Sequence, residues 1–181
     1  EADLPDDVEA LRAFALEQSR RLTDVTLAKG EADAEIERLQ SIIDAIRRGE
    51  LQATIGVVIS NRPEAAGLMR AREAGLETVC LRQKDYASRD DYDAAVADSL
   101  RAHGVDLVCL AGFMRLVGTP LLGAFPNRIL NIHPSLLPSF PGLDAQRQAL
   151  EHGVRVAGAT VHLVNAELDA GPIVAQAAVP V

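Results

Sequence analysis

The stretch VDLVCLAG, residues 105–112, narrows the possible folds more than any other part of the chain. It is apolar apart from Asp106 and bounded by Gly104 and Gly112. A strand with one wet face alternates polar and apolar residues, and this one does not. It therefore reads as a strand covered on both faces, the habit of parallel sheets flanked by helices. ATIGVVIS (53–60), ETVCL (77–81), RILNIH (128–133) and ATVHLV (159–164) are further strand-like runs. Between them, helical patterns run from near Pro63 to Gly75 and from Arg89 to Gly104. Strands alternating with helices in this way predict βαβ units in an α/β fold around a mostly parallel sheet.

The first 50 residues follow another rule. Positions 8, 11, 15, 18, 22, 25, 29, 32, 36, 39, 43 and 46 keep an unbroken 3-4 spacing, and ten of the twelve are apolar. Only Gln18 and Lys29 interrupt the seam, so it favours a coiled-coil-like helix or a helical hairpin over a strand. Gly30 is either a bend between two helices or an unfavourable residue within one. The seam suits self-association into a homo-oligomer, and it equally suits an amphipathic helix packed on its own domain.

Charge follows the same division. Residues 1–50 carry thirteen acidic and seven basic side chains, net −6, whereas the remainder is at −2. The total of −8 argues against a nucleic-acid partner, which needs a basic face. No apolar run approaches the roughly 20 residues needed to cross a bilayer, so no membrane partner is expected. Cys80 and Cys109 lie in apolar runs and are expected to be reduced core residues, which fits a cytoplasmic location.

The chemistry concentrates at RILNIHPSLLP. On a strand, Asn131 and His133 share a face, and Pro134 stops the strand there. Ligands of open α/β sheets bind outside the carboxyl ends of strands. A histidine at such an edge can move a proton, and an asparagine amide can donate to an oxygen gaining charge. The pair suits acyl or formyl transfer without a covalent intermediate. No G-x-S-x-G elbow occurs, and the four histidines and two cysteines show no metal-ligand spacing. Asp169, in the turn ELDAGP, lies on a loop at a strand end, within possible reach of His133. An Asp in such a turn is more often a turn former than a catalyst.

LVCLAGFMRLV, ILNIHPSLLPSFPGLDAQRQAL and GATVHLVNAELDAGPIVAQAAVPV together resemble the glycinamide ribonucleotide formyltransferases of purine synthesis. The likeness runs from about Leu39 to Val181. Methionyl-tRNA formyltransferases share HPSLLP but usually follow it with Arg-Gly, where this chain has Phe140-Pro141-Gly142. The resemblance implies a Rossmann-like formyltransferase fold over residues 39–181, and the 3-4 apolar spacing marks 1–38 as a separate helical heptad segment. It also implies that the amine of glycinamide ribonucleotide attacks the formyl carbon of 10-formyltetrahydrofolate. Asn131 would stabilise the oxyanion, His133 would donate a proton, and Asp169 would keep His133 protonated. Met114, Arg115, Leu116 and Val117, with Asn131, match the segment lining the folate site, and Arg89 in ASRDDYD matches a ligand-binding arginine.

One departure stands out. The family opens with a strand and a glycine-rich turn of the form I-V-V-L-x-S-G-x-G-S/T-N, which holds the substrate phosphate on backbone N–H groups. Here EADAEIER (31–38) stands before LQSIIDA. The expectation is a fold lacking its first strand and the helix that usually follows VPV, with formyl transfer impaired by loss of the turn. The alternative expectation is an inactive folate-site remnant serving as an oligomeric binding or structural module.

Overall fold

A computed structural model describes residues 31–113 and 115–181, with side chains from residue 37 onward. Helix α1 (Glu31–Arg47) runs without a break across the expected boundary at residue 38. Ile43, a seam position, and Ala45 are buried, the seam positions Leu39 and Ile46 are half-buried, and the helix packs on α2 (Ala66–Glu73). Seam positions from Val8 to Lys29 lie outside the described residues, and with them the coiled-coil expectation for that part.

The expected alternation of strands and helices is present. Strands β1 (Val58–Ser60) and β2 (Thr78–Cys80) form a parallel pair flanking α2. Helix α3 (Arg89–Ala102) leads into β3 (Val108–Leu110), and α4 (Thr119–Ala124) leads into β4 (Ile129–His133). After α5 (Ala145–Glu151) come β5 (Val156–Leu163) and β6 (Ile173–Pro180). The second sheet has the order β3-β4-β5-β6. Only β3–β4 is parallel in it, since β5 runs antiparallel to β4 and β6 antiparallel to β5. The architecture is therefore mixed, with less parallel pairing than the apolar runs suggest. The link from β5 to β6 is too short for a crossover helix, so β6 must return antiparallel.

Local chemistry explains the element ends. Ser88 caps α3: its Oγ accepts the Asp91 N–H at 3.1 Å and donates to Asp91 Oδ2 at 2.7 Å. Gly104 follows α3 in the left-handed region (φ 64°), a conformation glycine adopts without a Cβ penalty. Above the sheet, Tyr92, Val96, Ala97 and Leu100 of α3 pack with Val108, Leu121, Phe125 and Ile129 in the principal core. A second cluster joins Leu130, Val161, Leu163, Val174 and Ala175 from β4, β5 and β6.

The cysteines correct one expectation. Both are free thiols, but Cys80 is half-buried and the Cys109 side chain is accessible at the surface, although the dense protein around it still pushes the thiol up to about 11. Val108 and Cys109 point to opposite faces of β3, and only Val108 reaches the core. An unbroken apolar run conceals that difference because it gives both faces the same character.

Candidate active site

β4 ends at His133, where the antiparallel ladder sets Asn131 opposite His162 and His133 opposite Thr160. Directly opposed residues project to the same side of a sheet, so four polar side chains gather there. The Asn131 amide donates to His162 Nε2 at 3.2 Å. A nitrogen that accepts must lack a hydrogen, which places the proton on Nδ1, 3.1 Å from the Leu163 carbonyl. That arrangement is a neutral imidazole. Burial lowers the ionisation of His162 below its ordinary 6.5, against the opposing pull of the Leu163 carbonyl and Asp169.

His133 is only 4% exposed. Its Nε2 lies 2.8 Å from the carbonyl oxygen of Phe140, which can only accept, so Nε2 bears a hydrogen. Its Nδ1 stands 3.4 Å from Asp169 Oδ2, and the other carboxylate oxygen is 3.6 Å from His162 Nε2. Asp169 therefore faces both histidines. The backbone N–H of Gly142 also donates to its Oδ2 at 2.8 Å, fixing the carboxylate between two loops.

Those loops are held in turn. Phe140 and Asp169 both adopt left-handed backbone (φ 54° and 50°), which aims the Phe140 carbonyl and the Asp169 carboxylate at His133. Thr160 Oγ1 donates to the Ser135 carbonyl at 2.7 Å and accepts from the Leu137 N–H at 3.0 Å. Gln176 on β6 donates to the Leu137 carbonyl at 2.9 Å. The segment after β4 is thus tied to β5 and β6 by buried polar groups whose bonding requirements are largely met.

Asn131, His133 and Asp169, expected from the sequence, come together here. His162 joins them unforeseen, because its partnership depends on the β4–β5 register. The remaining predicted residues form a separate group. Arg89 donates to the Leu116 carbonyl at 2.5 Å, and the Arg115 guanidinium lies over the Tyr92 ring at 4.7 Å. Leu116 is exposed, the Val117 side chain joins the principal core, and Met114 lies outside the described residues. Leu110 pairs with Asn131, so the segment beginning at Ala111 leaves the sheet beside the catalytic candidates. A cleft bordered by Ile132, Leu136, Phe140, Leu150 and Val156 borders none of the side chains Asn131, His133, His162 or Asp169. Among the described residues no cluster of histidine, cysteine and carboxylate side chains is arranged to hold a metal ion. Nor is any helix among them long and apolar enough to cross a membrane.

The sheet is mixed and Rossmann-like, and its Asn-x-His strand end faces a loop aspartate. The formyl transferase family model matches residues 32–181, and the chain belongs to that family. It is 48% identical over 145 residues to the trifunctional purine biosynthetic protein adenosine-3 of Drosophila melanogaster, covering 79% of this chain but 11% of that protein. It is 46% identical over 143 residues to the phosphoribosylglycinamide formyltransferase of Escherichia coli strain K12, covering 79% of this chain and 68% of that enzyme. The solved structure of glycinamide ribonucleotide transformylase 1 from Symbiobacterium toebii superposes with a TM-score of 0.79 at 61% identity. That match covers 82% of this chain and 69% of that one. The chain thus spans about a tenth of the trifunctional relative and about two-thirds of the single-function enzymes.

Proposed function

We propose that this chain transfers a formyl group from 10-formyltetrahydrofolate to the primary amine of glycinamide ribonucleotide. The observation that carries the reading is Asp169 facing His133 beside the Asn131 amide, in a chain of the formyl transferase family. The amine attacks the formyl carbon, a C–N bond forms, and the carbonyl electron pair moves onto oxygen. An Asn131 N–H not engaged by His162 is available to donate to that oxyanion. Collapse of the intermediate breaks the bond to N10 of the folate. The proton lost by the attacking amine balances the one that N10 takes up.

His133 is the group suited to that delivery. A carboxylate oxygen of Asp169 stands 3.4 Å from its Nδ1 and is fixed there by the Gly142 N–H, while its Nε2 carries the proton to be given. The proton on Nε2 points to the Phe140 carbonyl, so delivery from that atom requires exchange of this bond for one to substrate. Arg89 and the segment Met114–Val117 are read as the folate-binding border.

Formyl transfer between these two substrates can be followed spectroscopically, with His133→Ala alongside. Turnover by the wild-type chain that falls at least about 100-fold in His133→Ala is expected. A folded wild-type chain without turnover, or a fully active variant, overturns the assignment.

A further inference from the structure

Asp93 is a fully buried charge on α3, surrounded by the principal core, and the mechanism above makes no use of it. A carboxylate in such a place is unfavourable unless partnered, and an apolar side chain of similar size would serve stability at least as well. Its partners lie on one segment and one helical turn. Asp93 Oδ2 accepts the backbone N–H of Gly118 at 2.7 Å. Arg115 Nη2 stands 3.8 Å from Oδ1, and Arg89 Nε stands 4.0 Å from Oδ2. Gly118 has no room for a side chain, because a Cβ there would stand 2.5 Å from Oδ2. Arg89 also donates to the Leu116 carbonyl. Two residues of the 115–118 segment thus converge on Asp93, and Arg89 links it to a third.

This segment is the continuation of β3 past the point where Leu110 pairs with Asn131. It follows the carboxyl end of a parallel strand, where ligands of open α/β sheets bind. We infer that Asp93 is a positioning residue, setting the path of residues 115–118 along the folate border without touching the folate. Its charge offsets the two guanidiniums held near it, and its Oδ2 fixes the Gly118 backbone where the segment enters α4. This inference rests on the proposed folate site and adds a determinant of donor affinity that lies beneath it.

Asp93→Asn keeps the size of the side chain and an acceptor for Gly118 while removing the charge. Tetrahydrofolate binding by calorimetry, and KM for each substrate, would be measured on folded wild-type and variant chains. The expected result is a dissociation constant for tetrahydrofolate raised about ten-fold, the size of a lost charged hydrogen bond. KM for the formyl donor should rise with it, and KM for glycinamide ribonucleotide should stay within about two-fold, since only the border has moved. Equal rises in both constants, or none, overturn the inference while leaving the folate site intact. A wild-type chain that takes up no tetrahydrofolate overturns the site reading and this inference with it. If Asp93→Asn does not fold, Arg115→Gln tests the same ion pair from its partly exposed side. Its expected rise in the tetrahydrofolate constant is about three-fold, and an unchanged constant overturns the inference.

Discussion

His162 is buried beside a carboxylate and a second histidine, yet desolvation dominates and its ionisation lies below the ordinary 6.5. The unfolded chain takes up a proton near pH 6.5, whereas the folded chain resists doing so until a lower pH. The stability tied to neutral His162 is therefore complete above 6.5 and declines as pH falls toward the folded value. Urea unfolding from pH 7.5 to 5.5 should show a falling midpoint, and His162→Gln, which cannot titrate, should flatten the decline. An equal decline in the variant would assign the effect to another group. Asn131 and His133 were legible as a pair from the period of two along a strand, whereas the turn alone read Asp169 as a turn former and only the family resemblance gave it a role. His162 was not legible, since what makes it a neighbour of Asn131 is pairing between β4 and β5, across thirty intervening residues. Asp93 was hidden for another reason: an acidic residue in the first turns of a helix ordinarily reads as solvent-facing.

Secondary-structure elements show the same division between local and distant information. α3 was plain because its apolar period and the Gly104 that closes it are local in the sequence. β6 was not assigned, although burial alternates along it from Ala175 onward, because its small residues give little β signal without a partner. The turn before β6 gives an element-scale prediction. A Cβ on Gly171 would collide with the backbone carbonyl of Leu163, which cannot swing aside as a side chain can. Gly123, within α4, has nothing near the same point. Gly171→Ala should lower stability by about 2 kcal/mol and reduce formyl transfer, since the same turn carries Asp169. Gly123→Ala should leave transfer unchanged and raise stability by about 0.5 kcal/mol, through the lower freedom of the unfolded chain. Chemical denaturation of both variants separates these effects, and matching losses would show that the close contact at Gly171 is not what matters.

At the scale of the whole molecule, the described strands fall into two sheets, β1-β2 and β3-β4-β5-β6, with no ladder joining them. What links them is apolar packing: Val57, Ile59, Leu81 and Tyr86 lie against the cluster of Val96, Leu100, Val108 and Phe125. The two sheets differ in how firmly they are built. β1 and β2 are three residues long with every residue half-buried, whereas β5 and β6 are eight residues long and pair at seven positions, with a mostly buried β5. Local opening follows the number of buried contacts and ladder bonds that must be given up together. Hydrogen exchange should therefore resolve two tiers under native conditions. Amides of Ile59 and Cys80 should exchange through partial opening of the smaller sheet, at least about ten-fold faster than those of Val161 and Ala175. Folate should leave this first tier nearly unchanged while slowing exchange in residues 115–118, because the border segment departs from β3 in the larger sheet. A single common rate for all four amides would mean that the apolar contact binds the two sheets into one cooperative unit, and that packing alone substitutes for the ladder that does not run between them.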